Sequence, residues 1–291
     1  MCIRDSLKPI LNSPSKLQLL AAELEIMLYV RSGNVNDAYT KIKNLLKAEN
    51  WWIIILSSII LWMLFTIFTQ PEYNKALNFI IPGLRITFLS TIVSFIIAIF
   101  LGLISGIGRI SDNKIASTLS RTYIEFIRGV PVLILIFTIA FVVVVDAAEL
   151  LNINNGNVPM LIRAIIALSV FYGAYIAEVF RAGIESVPSG QREGGASLGM
   201  SKRQIMRFIV LPQAFRNMLP ALGNDFISMM KDSSLLSVLA VEDLTYRGRL
   251  YSGSTFRFAE TYLVLTVLYL IITLLLSGLQ RRLELRLENS D

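Results

Sequence analysis

The run Gly195-Ala196-Ser197-Leu198-Gly199 has the spacing of a nucleophile elbow, the tight turn that presents a serine hydroxyl to a carbonyl carbon. That chemistry needs a strand ahead of the serine and an imidazole to take its proton. No strand pattern precedes Ser197, and the chain contains no histidine. The same lack removes histidine-based metal sites, Ser-His and Cys-His pairs and imidazole acid–base catalysis. Cys2 is the single cysteine, so no internal disulfide can form. No Gly-Lys dipeptide occurs, and with it goes the phosphate-binding loop of NTPases. Two charged groupings remain. Asp225, Lys231 and Asp232 interrupt an apolar stretch from Ala214 to Val241. Charges inside a span cost at least ~2.5 kcal/mol each unless paired or wetted, so these read either as a structural Asp–Lys network or as contacts for a substrate. Glu125 and Arg128 lie three apart on one helical face just before Gly129 and Pro131. They are either a local ion pair or an element of a gate or pathway.

The elements that position these groups follow from composition. Of 291 residues, 54% are hydrophobic and 16% charged, and the mean hydropathy is +0.62. Soluble domains carry about a quarter charged residues, so the chain is expected in a membrane. A helix needs about 20 apolar residues to cross the hydrocarbon layer with its backbone hydrogen bonds satisfied. Trp51 to Thr69, Ile86 to Gly108, Gly129 to Val145 and Thr261 to Gln280 are uncharged runs of that kind. Met160 to Phe180 counts as another, with Arg163 and Glu178 near enough to its ends to snorkel to the interface. Ala214 to Val241 is the sixth, a broken or bundle-facing span weakened by Pro220 and Gly223. The fold class predicted is an all-α membrane protein of about six transmembrane helices.

Lys and Arg set the orientation. Residues 181 to 213 hold Arg181, Arg192, Lys202, Arg203 and Arg207, whereas 146 to 158 hold Asp146 and Glu149 and no Lys or Arg. The first loop is therefore cytoplasmic and the second outside, which places both termini in the cytoplasm. Arg247, Arg249 and Arg257 in the loop before the last span argue weakly the other way. The net charge of +6 sits beside apolar spans and gives no reason to invoke nucleic acid. Residues 1 to 50 lack the apolar core of a signal peptide; Leu17, Leu20, Ala21, Leu24 and Leu28 recur at helical spacing, and Asn36 can cap a second helix. This segment is expected to form an amphipathic helical pair, lying on the cytoplasmic membrane surface or docking a partner.

Residues 187 to 212 are too apolar for a free linker and too charged for a span. Gly199 separates two short helices, where a left-handed residue ends the first. Ser201 caps the second, Gln204 is its reciprocal partner, Met200 faces Ile205 as a hydrophobic staple, and Pro212 stops the helix. Ile205, Phe208 and Ile209 are expected on one face of this helix-turn-helix.

These residues resemble a known signature. Glu193-Gly194-Gly195, three residues, Gly199, nine residues, then Ile209-Val210-Leu211-Pro212 is similar to the E-A-A…G…I-x-L-P loop of binding-protein-dependent ABC importer permeases. Gly194 and Gly195 replace the alanines of that pattern, and each glycine costs about 1 kcal/mol of helix stability. Tyr123 to Pro131, Ala174 to Ile184 and Leu222 to Leu235 are similar to stretches of the polar amino acid uptake subfamily. The resemblance covers residues 80–287 and implies a five-helix permease core with coupling loop 187–212, preceded by a cytoplasmic extension (1–50) and an extra N-terminal span (51–69).

It further implies an inner-membrane subunit that does no chemistry on its cargo. Its partners would be cytoplasmic ATP-binding subunits, which bind ATP and Mg, a second permease chain, like or unlike, and an extracytoplasmic amino acid binding protein. The coupling loop would comprise Glu193, Gly194, Gly195, Gly199, Ile209, Leu211 and Pro212. Glu125, Arg128, Asp225, Lys231 and Asp232 are candidates for the substrate pathway or gate. The alternative is an ion-gradient-driven secondary transporter with Asp225 or Glu178 as its proton site. Gly102 and Gly106, spaced as small-x-x-x-small, are expected to serve span packing before a subunit contact.

Overall fold

The computed structural model describes residues 51–154 and 158–288; the helix pair expected over residues 1–50 lies outside them. The chain divides into two units, Met1–Phe65 and Thr66–Asp291. In the first, the described residues belong to α1, Trp51–Thr69, an uncharged helix on which Ile55, Ile59, Leu61, Trp62 and Phe65 are exposed. An apolar surface left outward on a helix whose backbone bonds are internal suits hydrocarbon surroundings.

The second unit is helical throughout its described residues, with no strand among them. α2, Pro71–Ile80, passes through a 3-10 turn, Ile81–Gly83, into α3, Leu84–Arg109. Asn113 opens α4, Lys114–Gly129, by accepting from the backbone N–H groups of Ile115 and Ala116. Pro131 then starts α5, Val132–Leu150, which contains a π turn over Ile139–Val143. α6 is Met160–Glu185, α7 Ser189–Ser197 and α8 Lys202–Ile205. A second π turn, Met206–Val210, joins α8 to α9, Leu211–Asp232. A 3-10 segment, Ser233–Leu239, leads on to α10, Leu244–Thr255, and α11, Phe258–Glu288.

Among the described residues, four stretches are long and apolar enough to cross a membrane: Pro71–Arg109, Val132–Leu150, Met160–Glu185 and Phe258–Arg286. They fall on four of the expected spans; three extend beyond the expected bounds, and Val132–Leu150 is shifted towards the C-terminus relative to Gly129 to Val145. α6 is the centre of the bundle, with 61% of its apolar window buried against 22–33% for the others. Its closest neighbour is α3, which turns a stripe of small residues inward: Thr87, Ser90, Thr91, Ser94, Ala98, Gly102 and Gly106. A Cβ built on Gly102 would stand 2.5 Å from Ile176 Cγ2, so the two glycines serve helix packing within this chain, as expected. Ser94 Oγ completes the seam by donating to the Ile165 carbonyl at 3.2 Å.

Three local expectations are corrected. Pro220 and Gly223 do not break α9, which stays helical to Asp232; Gly223 instead admits Gln280 of α11, whose Nε2 donates to the Pro220 carbonyl at 3.1 Å. Pro212 does not stop the second loop helix. It has no N–H to give and crowds the preceding turn, and the π turn ending at Val210 absorbs the mismatch, so the helix runs on into α9. Arg163 does not snorkel: it is buried, donating to the carbonyls of Val158 (3.1 Å) and Ala140 (3.3 Å). Ala140 lies in the π turn of α5, where the regular ladder of carbonyl acceptors is disturbed and an added donor is useful.

Candidate functional site

The loop expected to carry function is a preformed helical hairpin. α7 ends where Gly199 takes φ +77°, a conformation that costs glycine no Cβ penalty. The Gly199 N–H donates to the Ala196 carbonyl at 3.0 Å and the Met200 N–H to the Gly195 carbonyl at 3.1 Å, the paired bonds of a left-handed C-terminal cap. Ser201 and Gln204 form the expected reciprocal box, Gln204 N–H to Ser201 Oγ and Ser201 N–H to Gln204 Oε1. Ser197 sits on a helix, not a strand-to-helix turn, and its hydroxyl donates back to the Glu193 carbonyl at 3.0 Å, so the elbow spacing is a coincidence.

The two helices of the hairpin meet at Gly195, where a Cβ would stand 2.7 Å from Ile209 Cδ1 and 3.0 Å from Ile205 Cγ1. Gly194, beside it, faces open space. Ile205 is buried and Ile209 half-buried, but Phe208 is 63% exposed. The expected common face holds for Ile205 and Ile209, which both meet Gly195, and fails for Phe208, which lies within the π turn over Met206–Val210 and points outward. Glu193, Leu198, Lys202, Arg203, Arg207 and Phe208 are thus presented outward, with the Arg207 guanidinium 5.6 Å from the Phe208 ring centre. Leu211 is half-buried and Pro212 exposed. Arg192 ties α7 to the end of α6 through a bond from Nη2 to the Ile184 carbonyl, 2.7 Å.

Above the hairpin lies a cluster of charges. Glu125 and Arg128 do not form the local pair their spacing allows; each reaches a different helix. Arg109 Nη2 lies 3.6 Å from Glu125, and Arg128 Nη1 lies 4.0 Å from Glu178. Glu178 Oε1 accepts from Arg109 Nη1, while its Oε2 accepts from Arg181 Nε at 2.9 Å and Nη2 at 2.8 Å. Arg181 also holds Glu185, and the Arg128 guanidinium stands 5.5 Å over the Tyr175 ring.

The charges of α9 do not form the structural network that is one of the two expectations. Asp232 accepts from the Tyr172 hydroxyl at 2.8 Å, Lys231 is exposed, and Asp225 Oδ2 is buried with no hydrogen-bond partner among the described residues. No Asp–Lys network is assembled. Tyr172 belongs to an aromatic group with Phe171 and Tyr175, ring centres 4.9–6.2 Å apart.

The pattern of a capped helical hairpin on a bundle of apolar helices has a match among known families. Residues 98–289 fit the family described as binding-protein-dependent transport system inner membrane component. The chain belongs to that family. Among its relatives in this family, a probable amino-acid permease of Bacillus subtilis is 40% identical over 207 residues, covering 70% of this chain and 89% of that protein. The glutamine transport system permease of Escherichia coli is 35% identical, covering 73% and 94%. Among solved structures, an amino acid ABC transporter crystallised with histidines is 34% identical with a TM-score of 0.66, covering 74% of this chain and 97% of the matched one. An inward-facing methionine ABC transporter, at 20% identity and a TM-score of 0.56, shares the fold.

In this permease the hairpin residues were legible from spacing alone, whereas the charge cluster was not. Glu178 and Arg181 carried a sequence signal only as charges near the end of a span; the Arg109–Glu178 pair did not, because α3 and α6 bring together positions 69 apart in sequence. Tyr172 gave no signal beyond an aromatic residue in an apolar helix; its value as a donor to Asp232, 60 positions away, exists only in the fold.

Proposed function

We propose that this permease is the membrane subunit of an ATP-driven amino acid importer, and that its hairpin is the surface through which separate cytoplasmic ATPase subunits act. The observation that carries this reading is the hairpin itself: a rigid double helix with its left-handed Gly199 hinge, bonded cap and outward apolar and basic tip. Such a structure is unnecessary for a connecting loop and suits insertion into a partner's groove. Glu193, Gly194, Gly195, Gly199, Ile209, Leu211 and Pro212 would make up the coupling element. Closure of the ATPase pair, which binds ATP and Mg, would push α7 and swing the spans from inward- to outward-facing. The amino acid cargo is supported by the relatives at 35–40% identity, an amino-acid and a glutamine permease, and by the amino acid transporter crystallised with histidines.

In the same reading the complex holds two permease chains and an extracytoplasmic binding protein, and both termini of this chain lie in the cytoplasm. Residues 1–50 form a cytoplasmic extension, 51–69 an extra span, and 80–287 the permease unit, with α9 completing the set of spans. Asp225, Lys231 and Asp232, with Glu125 and Arg128, line the pathway or gate. Lys231 beside Asp232 offers opposite charges to a zwitterion, and the aromatic group around Tyr172 offers an apolar wall.

The test is purification of the tagged chain from its native membrane in mild detergent, with and without Gly199→Pro. Proline cannot adopt φ +77°, so an ATP-binding subunit should co-purify with the wild type and be lost from a variant that still inserts. Full, sodium- or proton-driven uptake by the wild type with no ATPase attached would replace this reading with the gradient-driven one, and Asp225 would be the proton site to test.

A further inference from the structure

Glu178 is the point where three helices are joined by charge. Its carboxylate accepts from Arg109 of α3 and Arg181 of α6 and stands 4.0 Å from Arg128 of α4. The cluster of Arg109, Arg128 and Arg181 with Glu125, Glu178 and Glu185 is neutral in sum, but its carboxylates are not equivalent. The Glu125 and Glu185 side chains are 63% and 53% exposed, where ion pairs contribute little. Glu178 and Arg109 are 18% and 19% exposed, so removing Glu178 leaves a partly buried Arg109 facing the like charges of Arg128 and Arg181.

The position of this junction matters because of what lies on either side of it. On one side, α6 runs into the hairpin, and Arg192 of α7 is bonded to the Ile184 carbonyl in the last turn of α6. A displacement of α7 therefore reaches the end of α6. On the other side, a cavity of about 470 Å³ opens between α6 and α9, with Glu178, Arg181, Ala182, Ser186 and Asn217 on its wall. Beside it α6 and α9 touch where Gly183 meets Met218 and the Ala214 carbonyl, and Asn217 donates to Ser186 Oγ at 2.9 Å. The last turns of α6 therefore border an opening on one side and are held by this packing and by the charge junction to α3 and α4.

We propose that Glu178 is a positioning residue for transport: it locks α3, α4 and α6 into one body, so that a push on the hairpin reorients the spans instead of bending the end of α6 into the cavity. This rests on the importer reading above. Coupling of this kind needs two discrete arrangements that the driving site biases, and the locked body would move as a unit between the inward- and outward-facing ones.

The experiment uses the complete complex in proteoliposomes with its binding protein, measuring amino acid uptake and ATP hydrolysis on the same vesicles. It also uses paired spin labels at Leu119→Cys on α4 and Ala182→Cys on α6, with Cys2→Ser as background. In the wild type the label separation should be the same in nucleotide-free and ATP-trapped states. In Glu178→Gln the separation should change between those states, and uptake per ATP should fall about tenfold while hydrolysis continues. If Glu178→Gln does not assemble, Arg109→Gln removes the α3 arm alone, leaves Glu178 paired with Arg181, and should give the same result. An unchanged separation, or uptake and hydrolysis falling in proportion, overturns the proposal. A wild-type complex without ATP-dependent uptake overturns the importer reading on which it rests, and the two failures are told apart by that control.

Discussion

Gly106 of α3 lies directly against the Ala177 carbonyl of α6: a Cβ built there would stand 2.8 Å from that oxygen and 2.8 Å from Phe180 Cβ. Both obstacles are fixed to the helix backbone, so they cannot be relieved by a rotamer change. Gly106→Ala should lower the melting temperature of the detergent-solubilised protein, at a cost of about 1–3 kcal/mol for forcing an extra methyl into a packed seam. Gly278→Ala on α11, where nothing lies within 4 Å of the added carbon, is the control and should melt no lower than wild type. Equal melting of both variants would show that the α3–α6 approach is looser than described.

The two glycines of the hairpin should behave oppositely. Gly194→Ala adds a methyl into open space on α7 and should stabilise the hairpin by up to about 1 kcal/mol, with transport retained. Gly195 faces Ile205 and Ile209, so Gly195→Leu should separate the two helices and lose the attached ATPase. Retention of the ATPase by Gly195→Leu, judged by co-purification, would show that helix contact at Gly195 is not needed.

Asp243 gives the chain a pH-dependent stability. It is fully buried before α10, its Oδ1 accepting the Tyr246 N–H at 2.7 Å while Oδ2 has no hydrogen-bond partner among the described residues. Burial pushes its carboxyl from 3.8 up to about 7, against the lowering effects of the N–H groups it accepts from and of the Arg249 charge. The folded chain therefore keeps a proton that the unfolded chain has already lost. The stabilising contribution is full below about 3.8 and is lost as pH rises towards about 7. Asp243→Asn keeps a good helix cap without the titration, so its melting temperature should fall less than that of wild type between pH 5 and about 8. Parallel melting curves for the two proteins across that range would remove Asp243 as the cause.

Arg163 should tolerate neither loss of charge nor loss of shape. Its guanidinium reaches two carbonyls from one buried position, Val158 ahead of α6 and Ala140 in the π turn of α5. Lysine is a single point donor and cannot reproduce that fork. Both Arg163→Gln and Arg163→Lys should destabilise the protein, by about 1–3 kcal/mol, through carbonyls left unsatisfied in a dry site. Wild-type melting of Arg163→Lys would mean that charge alone suffices there.

Much of this protein was legible in its sequence, and the legible parts share a cause. Span positions follow from runs of apolar residues, because hydrocarbon forces each backbone to bond within its own helix. The hairpin follows from Gly199, Ser201 and Gln204, because caps act on groups only a few residues away. Where neighbours in sequence compete with neighbours in space, the sequence misleads. Glu125 and Arg128 are spaced for each other yet pair with Arg109 and Glu178, and Pro212 looks like a stop until the π turn before it is seen.

Sequence alone thus determined that the chain is a helical membrane protein with a capped hairpin of permease spacing. Tertiary structure decided which charges meet, which glycine is a contact and which is open, and where Arg163 points. The physical reason is range: apolar runs and caps are set by local chemistry, whereas a carboxylate's partner depends on how helices dozens of residues apart are laid side by side.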